Sequence, residues 1–581
     1  VEIAQYWRAV PDTRWLARPS LRPGGRDGAI GPAGSAGRRA GEIYRARDPS
    51  YIGSLVRLGR VTDDVNVTVD HQGDHMPHYL AGKELRNTAP ADRAAFRGPI
   101  PTQVISNGEL TPIPQTRDQA RVEQRVKELA SDLAPRHGMS RRSFLASSAG
   151  MAAGFLAMNE VFGPLFEVDR AEAVERCAAQ ERSTGLANQF IFDLQTHFVH
   201  DNYSWQDLKG FGKYAKEHCW NPDIADVDTL TRYKFGNYFK EVYLDSDTKM
   251  AVLSGAPSDH PDRAALENDQ IHDARRRVNA FAGSRRMLSH AVVKPTRDDD
   301  SWLRKVDQEI STLRPDSWKL YTTGDPLPAN TSKSPYWLDD EKLMYPFYER
   351  IRKAGITTVC VHKGVLPASY ATELKDVWKY ATVRDVLKAA RDFPDLTFII
   401  YHAAARPILE DPADALREFE QDGRIKWSSD LADIPAQLTT KNVYAEIGTA
   451  FANCATSNPR FAAALLGVLI KGMGIDHVLW GTDSVWYGSP QWQIEAMRRL
   501  KMPDDLKQKY GFPDLGDANS SLKQAIFGLN AAKLYGITPR TALAEVDADG
   551  LTAMKAEYLA NGGQRSNLRY GYVARKRGLR V

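Results

Sequence analysis

The fold class predicted by the sequence is α/β: a (β/α)8 TIM-type barrel with an N-terminal extension. Three observations predict it. Beyond residue 185, short apolar runs alternate with stretches of helical period, as βα units and a parallel sheet require. Eight such runs fall between residues 185 and 540. Nearly every run ends in a residue able to do chemistry, and a barrel places its active site at those strand ends. An open doubly wound sheet shares the alternation, so the polar strand ends decide for the barrel.

The expected strands, in order, are Phe190–Leu194, Met250–Ser254, Met287–Val293, Trp318–Tyr321, Thr357–Val361, Leu396–Tyr401, Val443–Ile447 and Val478–Trp480. Helical stretches lie between most of them, among them Ala264–Phe281, Glu341–Ala354, Val383–Asp392 and Phe461–Lys471. Residues 541–581 read as a helical, basic tail that ends in the run Arg569 to Arg580.

The chain has 581 residues, with 42% hydrophobic and 26% charged, as in a globular enzyme with extensions. A net charge of +4 gives no reason to expect nucleic acid or an anionic membrane as partner. Cys177, Cys219, Cys360 and Cys454 show no Cys-x-x-Cys spacing, which argues against a zinc finger or a disulfide scaffold. Residues 1–114, rich in Gly, Pro, Arg and Asp, read as an extension without expected order. Within it, Asp70 to His78 could bind a metal, but incidental polar chain is the simpler reading.

Residues 115–184 form a second segment. Val122, Val126, Leu129 and Leu133 recur at helical spacing. Ser140-Arg141-Arg142-Ser143-Phe144-Leu145 and the uncharged stretch Ala146–Asn159 then resemble a twin-arginine (Tat) export signal, with cleavage expected after Ala171-Glu172-Ala173. The resemblance implies the Tat machinery as a partner and an extracytoplasmic location. It also places the expected native start between residue 1 and Met139. The alternative is a buried helix preceded by two surface arginines.

The chemistry is carried by four strand ends. The first reads Asp193-Leu194-Gln195-Thr196-His197, which puts Asp193, Gln195 and His197 on one face. The others read Val361-His362-Lys363, Tyr401-His402-Ala403 and Gly481-Thr482-Asp483-Ser484. This order of residues resembles the amidohydrolase-related branch of the amidohydrolase superfamily, which includes aminocarboxymuconate-semialdehyde decarboxylase. Ile526-Phe527-Gly528-Leu529-Asn530-Ala531-Ala532-Lys533-Leu534-Tyr535-Gly536 also resembles that family's final helix. The likeness covers about residues 187–540. Gln195 departs from it, because the family carries histidine there.

The resemblance implies a divalent metal, zinc first and manganese second, held by His197, His362 and Asp483. Gln195 is open to three roles: weak ligand, partner of a metal-bound water, or mark of a lost metal. The family implies Asp483 as ligand and proton acceptor, and His402 as base or polariser of a substrate oxygen. Lys363, Arg406 and Lys319 are candidates to hold a substrate carboxylate. Glu446 supports the metal ligands or pairs with Lys319. The implied function is hydrolysis of an amide, ester or lactone bond of a small substrate, aromatic ones among them, through a metal-activated water. Non-hydrolytic decarboxylation of an aromatic or enoic acid is the alternative, and a metal-free binding barrel the second. Aromatic segments 201–222 and 321–337 read as pocket covers or as subunit contacts, so a homo-oligomer is left open.

Overall fold

The computed structural model describes residues 86–199, 234–257, 265–324, 334–372, 374–406 and 411–575. Eight parallel strands form one sheet in sequential order: β1 (Phe192–Thr196), β2 (Met250–Leu253), β3 (Met287–Val292), β4 (Ser317–Tyr321), β5 (Thr358–His362), β6 (Thr397–Tyr401), β7 (Val443–Glu446) and β8 (Val478–Leu479). The sheet closes on itself. Leu194 N donates to Trp480 O at 3.1 Å, Asp483 N to Gln195 O at 2.8 Å, and His197 N to Ser484 O at 2.6 Å. The fold is therefore the (β/α)8 barrel expected from the sequence.

Strands covered on both faces need continuous apolar runs, and Phe398, Ile399 and Ile400 are such a run, fully buried in β6. The helices bury one stripe each. Asn268–Ala282 turns Ile271, Ala274, Val278 and Ala282 inward and stops at Gly283, whose φ of 77° closes a left-handed cap. Expected and observed strand ends differ mostly by one or two residues. The largest difference is in β1, which runs on to Thr196 and so carries Gln195 inside the barrel wall.

The N-terminal extension departs from expectation. Residues 1–85, with Asp70–His78, lie outside the described residues. Residues 86–114 are packed: Ile100, Val104, Ile105 and Leu110 are buried. Thr88–Pro90 pairs antiparallel with Tyr572–Ala574 near the end of the chain. An extended arm buried between two surfaces needs no repeating period, so no periodic signal marked it.

Next comes a helical layer, α1 (Arg117–Leu133), α2 (Arg141–Ala146), α3 (Ser148–Phe162), α4 (Arg170–Val174) and α5 (Arg176–Gly185). The export-like segment is α2 and α3. Arg141 and Arg142 are exposed, whereas Phe144, Met151, Ala152, Phe155 and Met158 are buried. A helix apolar on nearly every side belongs inside a packed layer. Here α3 contacts α1, α4 and α5, and the guanidinium of Arg499 lies 5.5 Å from the Phe155 ring. Two charged groups fasten this layer to the barrel. Arg499 grips Glu172 of α4 at 2.6 and 3.2 Å, and its Nε donates to Glu495 at 3.0 Å. Among the described residues, no helix is long and apolar enough to cross a membrane.

Candidate metal centre

The seam between β1 and β8 sets the site. Asp193 accepts from Thr482 N at 3.0 Å and Thr482 Oγ1 at 2.5 Å, and from Gln195 N at 3.1 Å. This staple fixes both strand ends, leaving Gln195 and His197 on one side and Asp483 on the other. Gln195 Nε2 donates to Asp483 Oδ1 at 3.0 Å, and His197 Nε2 lies 3.2 Å from the same oxygen. Asp483 Oδ2 accepts from Thr449 Oγ1 at 2.5 Å and Asn107 Nδ2 at 2.7 Å.

All three strand-end histidines follow one rule. His197 Nδ1 faces Ser254 O at 2.9 Å, His362 Nε2 faces Val365 O at 3.1 Å, and His402 Nδ1 faces Gly448 O at 2.9 Å. A carbonyl only accepts, so each of these ring nitrogens carries the proton. Burial holds the pKa of His362 well below the ordinary value and that of His402 down to about 4. Both rings are therefore neutral near pH 7, and their second nitrogens are lone-pair acceptors. Those acceptors converge: His402 Nε2 is 3.1 Å from His362 Nδ1. Glu109 Oε1 is 3.4 Å from His362 Nδ1, and Glu109 Oε2 is 3.7 Å from His402 Nε2. Glu109, His362 and His402 bring ligand atoms within 4.8 Å of one another.

Acceptors facing acceptors repel unless a cation lies among them. The charge census agrees. Glu109, Asp193, Glu446 and Asp483 are buried carboxylates here, and Lys319 is a buried ammonium beside them. Burial pushes Asp193 up to about 7, and burial with the Asp483 charge pushes Glu109 up to about 8, so a bound cation would be needed to hold Glu109 ionised near pH 7. Neutral imidazoles and carboxylates, each steered by a backbone carbonyl or side-chain donor, form a donor set that fits a divalent ion. The side-chain oxygen of Gln195 is buried without a hydrogen-bond partner among the described residues, in keeping with a site built for one more positive group.

Backbone strain gathers at the same mouth. His402, Ala403, Ala404, Thr449 and Asp483 all have φ between 49° and 61°. Non-glycine residues reach that region only at a cost of about 1–3 kcal/mol each. The turn after β6 aims the His402 ring inward and keeps its Nδ1 on Gly448 O.

The remaining candidates fall in different places. Lys319, inside β4, sends its ammonium to within 3.5 Å of the Tyr401 ring centroid, and its Nζ has no hydrogen-bond partner among the described residues. Burial lowers its pKa to about 8. Glu446 accepts from His402 N at 3.2 Å and Gly448 N at 2.6 Å, so it braces the His402 turn and adds negative charge near Lys319. Lys363 is turned the other way from His362. Its ammonium is held by Asp385 at 2.8 and 2.9 Å and by Tyr380 O at 2.8 Å. Neighbouring strand residues face opposite sides, which separates the two. Arg406 donates to Leu366 O at 3.4 Å, and its guanidinium lies 5.5 Å from the Trp427 ring. Of the aromatic covers, residues 201–222 and Pro326 and Pro328 lie outside the described residues. Tyr321 stacks on His362 at 5.0 Å, and Trp337 packs on Tyr380 at 4.3 Å.

Asn107, Glu109 and Thr449 were not among the residues picked from the sequence. The Asn107-Gly108 dipeptide signals a turn, but nothing nearby ties it to a barrel more than eighty residues downstream.

The model of a protein family described as amidohydrolase matches residues 327–537, which hold His362, His402 and Asp483. No curated protein matches the chain. Among solved structures, the chain resembles 5-carboxyvanillate decarboxylase from Sphingomonas paucimobilis at 13% identity, covering 60% of this chain and 100% of that one, TM-score 0.34. It resembles 2,6-dihydroxybenzoate decarboxylase from Rhizobium at 14%, covering 60% and 99%, TM-score 0.32. It also resembles 4-oxalomesaconate hydratase from Rhodopseudomonas palustris at 14%, covering 64% and 99%, TM-score 0.34. These likenesses are weak and say nothing of the substrate.

Proposed function

We propose that this chain is a metal-dependent enzyme of the amidohydrolase type that hydrolyses an amide, ester or lactone bond in a small carboxylate-bearing substrate. The observation that carries the reading is the convergence of His362 Nδ1, His402 Nε2 and the Glu109 carboxylate within 4.8 Å of one another, beside the Asp483 carboxylate that faces His197 Nε2 at 3.2 Å. His197, His362, His402 and Asp483 are the residues that would hold a divalent ion, zinc or manganese. Such an ion supplies Lewis acidity, polarising a carbonyl and acidifying water.

The protein's own groups supply the rest. Despite burial, the neighbouring His197 and His402 rings and the Thr449 hydroxyl hold the Asp483 pKa below the ordinary value. It stays ionised at neutral pH and can take a proton at Oδ1 or Oδ2. The Nδ1–H bond to Gly448 O leaves the lone pair of His402 on Nε2, the nitrogen turned toward His362 and the ion site. Among the described residues the Lys319 ammonium has no hydrogen-bond partner, which suits an anchored substrate carboxylate. The same feature favours a second reading, decarboxylation, in which that carboxylate is the group lost.

The test is a panel of carboxylate-bearing amides, esters, lactones and aromatic acids, assayed with zinc or manganese restored. Bond hydrolysis without carbon dioxide release supports the first reading, and release of carbon dioxide the second. The export-like segment stays a separate proposal: α2 presents Arg141 and Arg142 to solvent, where a targeting receptor could read them.

A further inference from the structure

We infer that Glu109, carried on the N-terminal arm, is itself a ligand of the metal centre and supplies the negative donor that Gln195 does not. The inference rests on the metal-centre reading above and goes beyond it, because the arm precedes the barrel in sequence.

The arm is built to deliver this carboxylate. Ser106 pairs with Tyr572 through two backbone hydrogen bonds of 2.7 and 2.8 Å, which anchors the arm to the end of the chain. The arm then turns sharply. Ser106 Oγ donates to Leu110 O at 2.5 Å and accepts from Gly108 N at 2.9 Å. Gly108 has φ of 100°, a conformation that a side chain would strain. Leu110 is buried beyond the turn and fixes its exit.

Asn107 sets the spacing between carboxylates. Its Oδ1 accepts from Glu109 N at 3.0 Å, and its Nδ2 donates to Glu109 Oε2 at 2.5 Å and to Asp483 Oδ2 at 2.7 Å. One amide thus holds two carboxylates side by side, against like-charge repulsion. The oxygens of Glu109 face ring nitrogens of His362 and His402 whose protons point elsewhere, at Val365 O and Gly448 O. A buried carboxylate set against two lone pairs is unfavourable by itself and favourable around a shared cation.

Gln195 approaches the same ring nitrogen of His402. Its Nε2 is 3.5 Å from His402 Nε2, and Glu109 Oε2 is 3.7 Å from it. An amide is neutral and a weaker donor to zinc or manganese than a carboxylate or an imidazole. The two residues flank one place, and Glu109 brings the charge.

Cleavage after Ala173 would remove Glu109 with the export-like segment, so a metal centre that includes Glu109 needs the arm to stay with the barrel.

The experiment compares zinc retention against a competing chelator for the full parent chain, Glu109→Gln, and Glu109→Gln combined with Gln195→His, each confirmed as folded by circular dichroism. Glu109→Gln keeps the size and a hydrogen-bonding oxygen but removes the charge. It is expected to weaken retention by about tenfold or more. The added imidazole lies on the same strand face as His197, beside His402 and Asp483, and is expected to restore most of the loss. Retention equal in parent and Glu109→Gln overturns the inference while leaving the metal centre intact. Weakening that Gln195→His does not repair makes Glu109 a brace of the mouth and overturns it too. A parent chain that holds no divalent ion overturns both the inference and the reading beneath it.

Discussion

His402 Nε2 and His362 Nδ1 face each other at 3.1 Å, while the opposite nitrogen of each ring is engaged by a backbone carbonyl. Two neutral imidazoles in this relation have no proton to share. A cation between or beside them resolves the contact, so its removal should be felt in stability. We expect chelator-stripped protein to melt several degrees below the zinc-loaded form, with the difference growing with free zinc as linkage requires. His362→Ala should abolish most of that zinc dependence. Differential scanning calorimetry at fixed protein concentration and stepped zinc checks both.

Lys319 gives a prediction of opposite sign for stability and for function. Its ammonium is fully buried and has no hydrogen-bond partner among the described residues. Lys319→Met removes an unsatisfied buried charge at similar volume, so Tm in the metal-loaded protein should hold or rise. Affinity for a carboxylate substrate should fall, with KM raised by about tenfold or more, since a charged hydrogen bond is worth about 1.5–3 kcal/mol. Steady-state kinetics beside a thermal melt separates the two effects. A lower Tm with unchanged KM would make Lys319 a structural cation.

The contact between the helical layer and the barrel predicts a large mutational effect far from the metal. Arg499 is buried, with both its Glu172 and Glu495 partners buried around it. Arg499→Ala removes the nearest partner of Glu172, which keeps only Arg182 at 3.4 Å, while Glu495 keeps Arg498 at 2.8 Å, and we expect a loss of about 3 kcal/mol. Urea unfolding of the metal-loaded protein measures it. A loss below about 1 kcal/mol, the worth of a surface ion pair, would mean that the layer is not fastened there.

The same cluster sets an acid limit. Despite burial, Arg499, Arg498 and Arg182 hold the Glu495 pKa down at about 2, against an ordinary 4.5. Despite burial, Arg498 and Lys555 do the same for Asp247, also to about 2. Depressed carboxylate pKa values contribute stability that is full above the unfolded pKa and disappears as pH falls through the folded one. The contribution should be constant above about pH 5 and decline from about pH 4.5 toward pH 2. In Glu495→Gln the acid-side slope should be shallower, as read by chemical denaturation at stepped pH.

Much of this was legible in the sequence, and the exceptions have physical reasons. His197, His362, His402 and Asp483 could be read because a barrel strand ends where its apolar run ends, and the next inward residue reaches the mouth. Gln195 was legible as the odd member of that set. Lys363 was misleading. It adjoins His362 in sequence, yet alternation turns it outward onto Asp385. Glu109 was illegible, since its position depends on an irregular arm tied down by Tyr572 and by Asp483, hundreds of residues later. The export-like stretch was legible as an apolar helix. Its burial under α1 and against Arg499 is a tertiary fact that composition does not carry.

Export can be tested without disturbing that packing, because Arg141 and Arg142 are exposed. Replacing both with lysine should leave Tm unchanged and, if the segment directs export, leave the protein in the cytoplasm. Fractionation with an antibody to the barrel shows which. Unchanged distribution would leave α2 and α3 with a purely structural role.

The central claim is that the barrel mouth is a metal centre. Its most direct test is elemental analysis of the full chain purified without added metal, before and after dialysis against zinc or manganese. The account predicts about one divalent ion per chain, as a catalytic set of imidazole and carboxylate ligands with an open position would hold, and a marked loss of that ion in His402→Ala. Protein that is folded yet takes up neither metal, with the same result in His402→Ala, would contradict it.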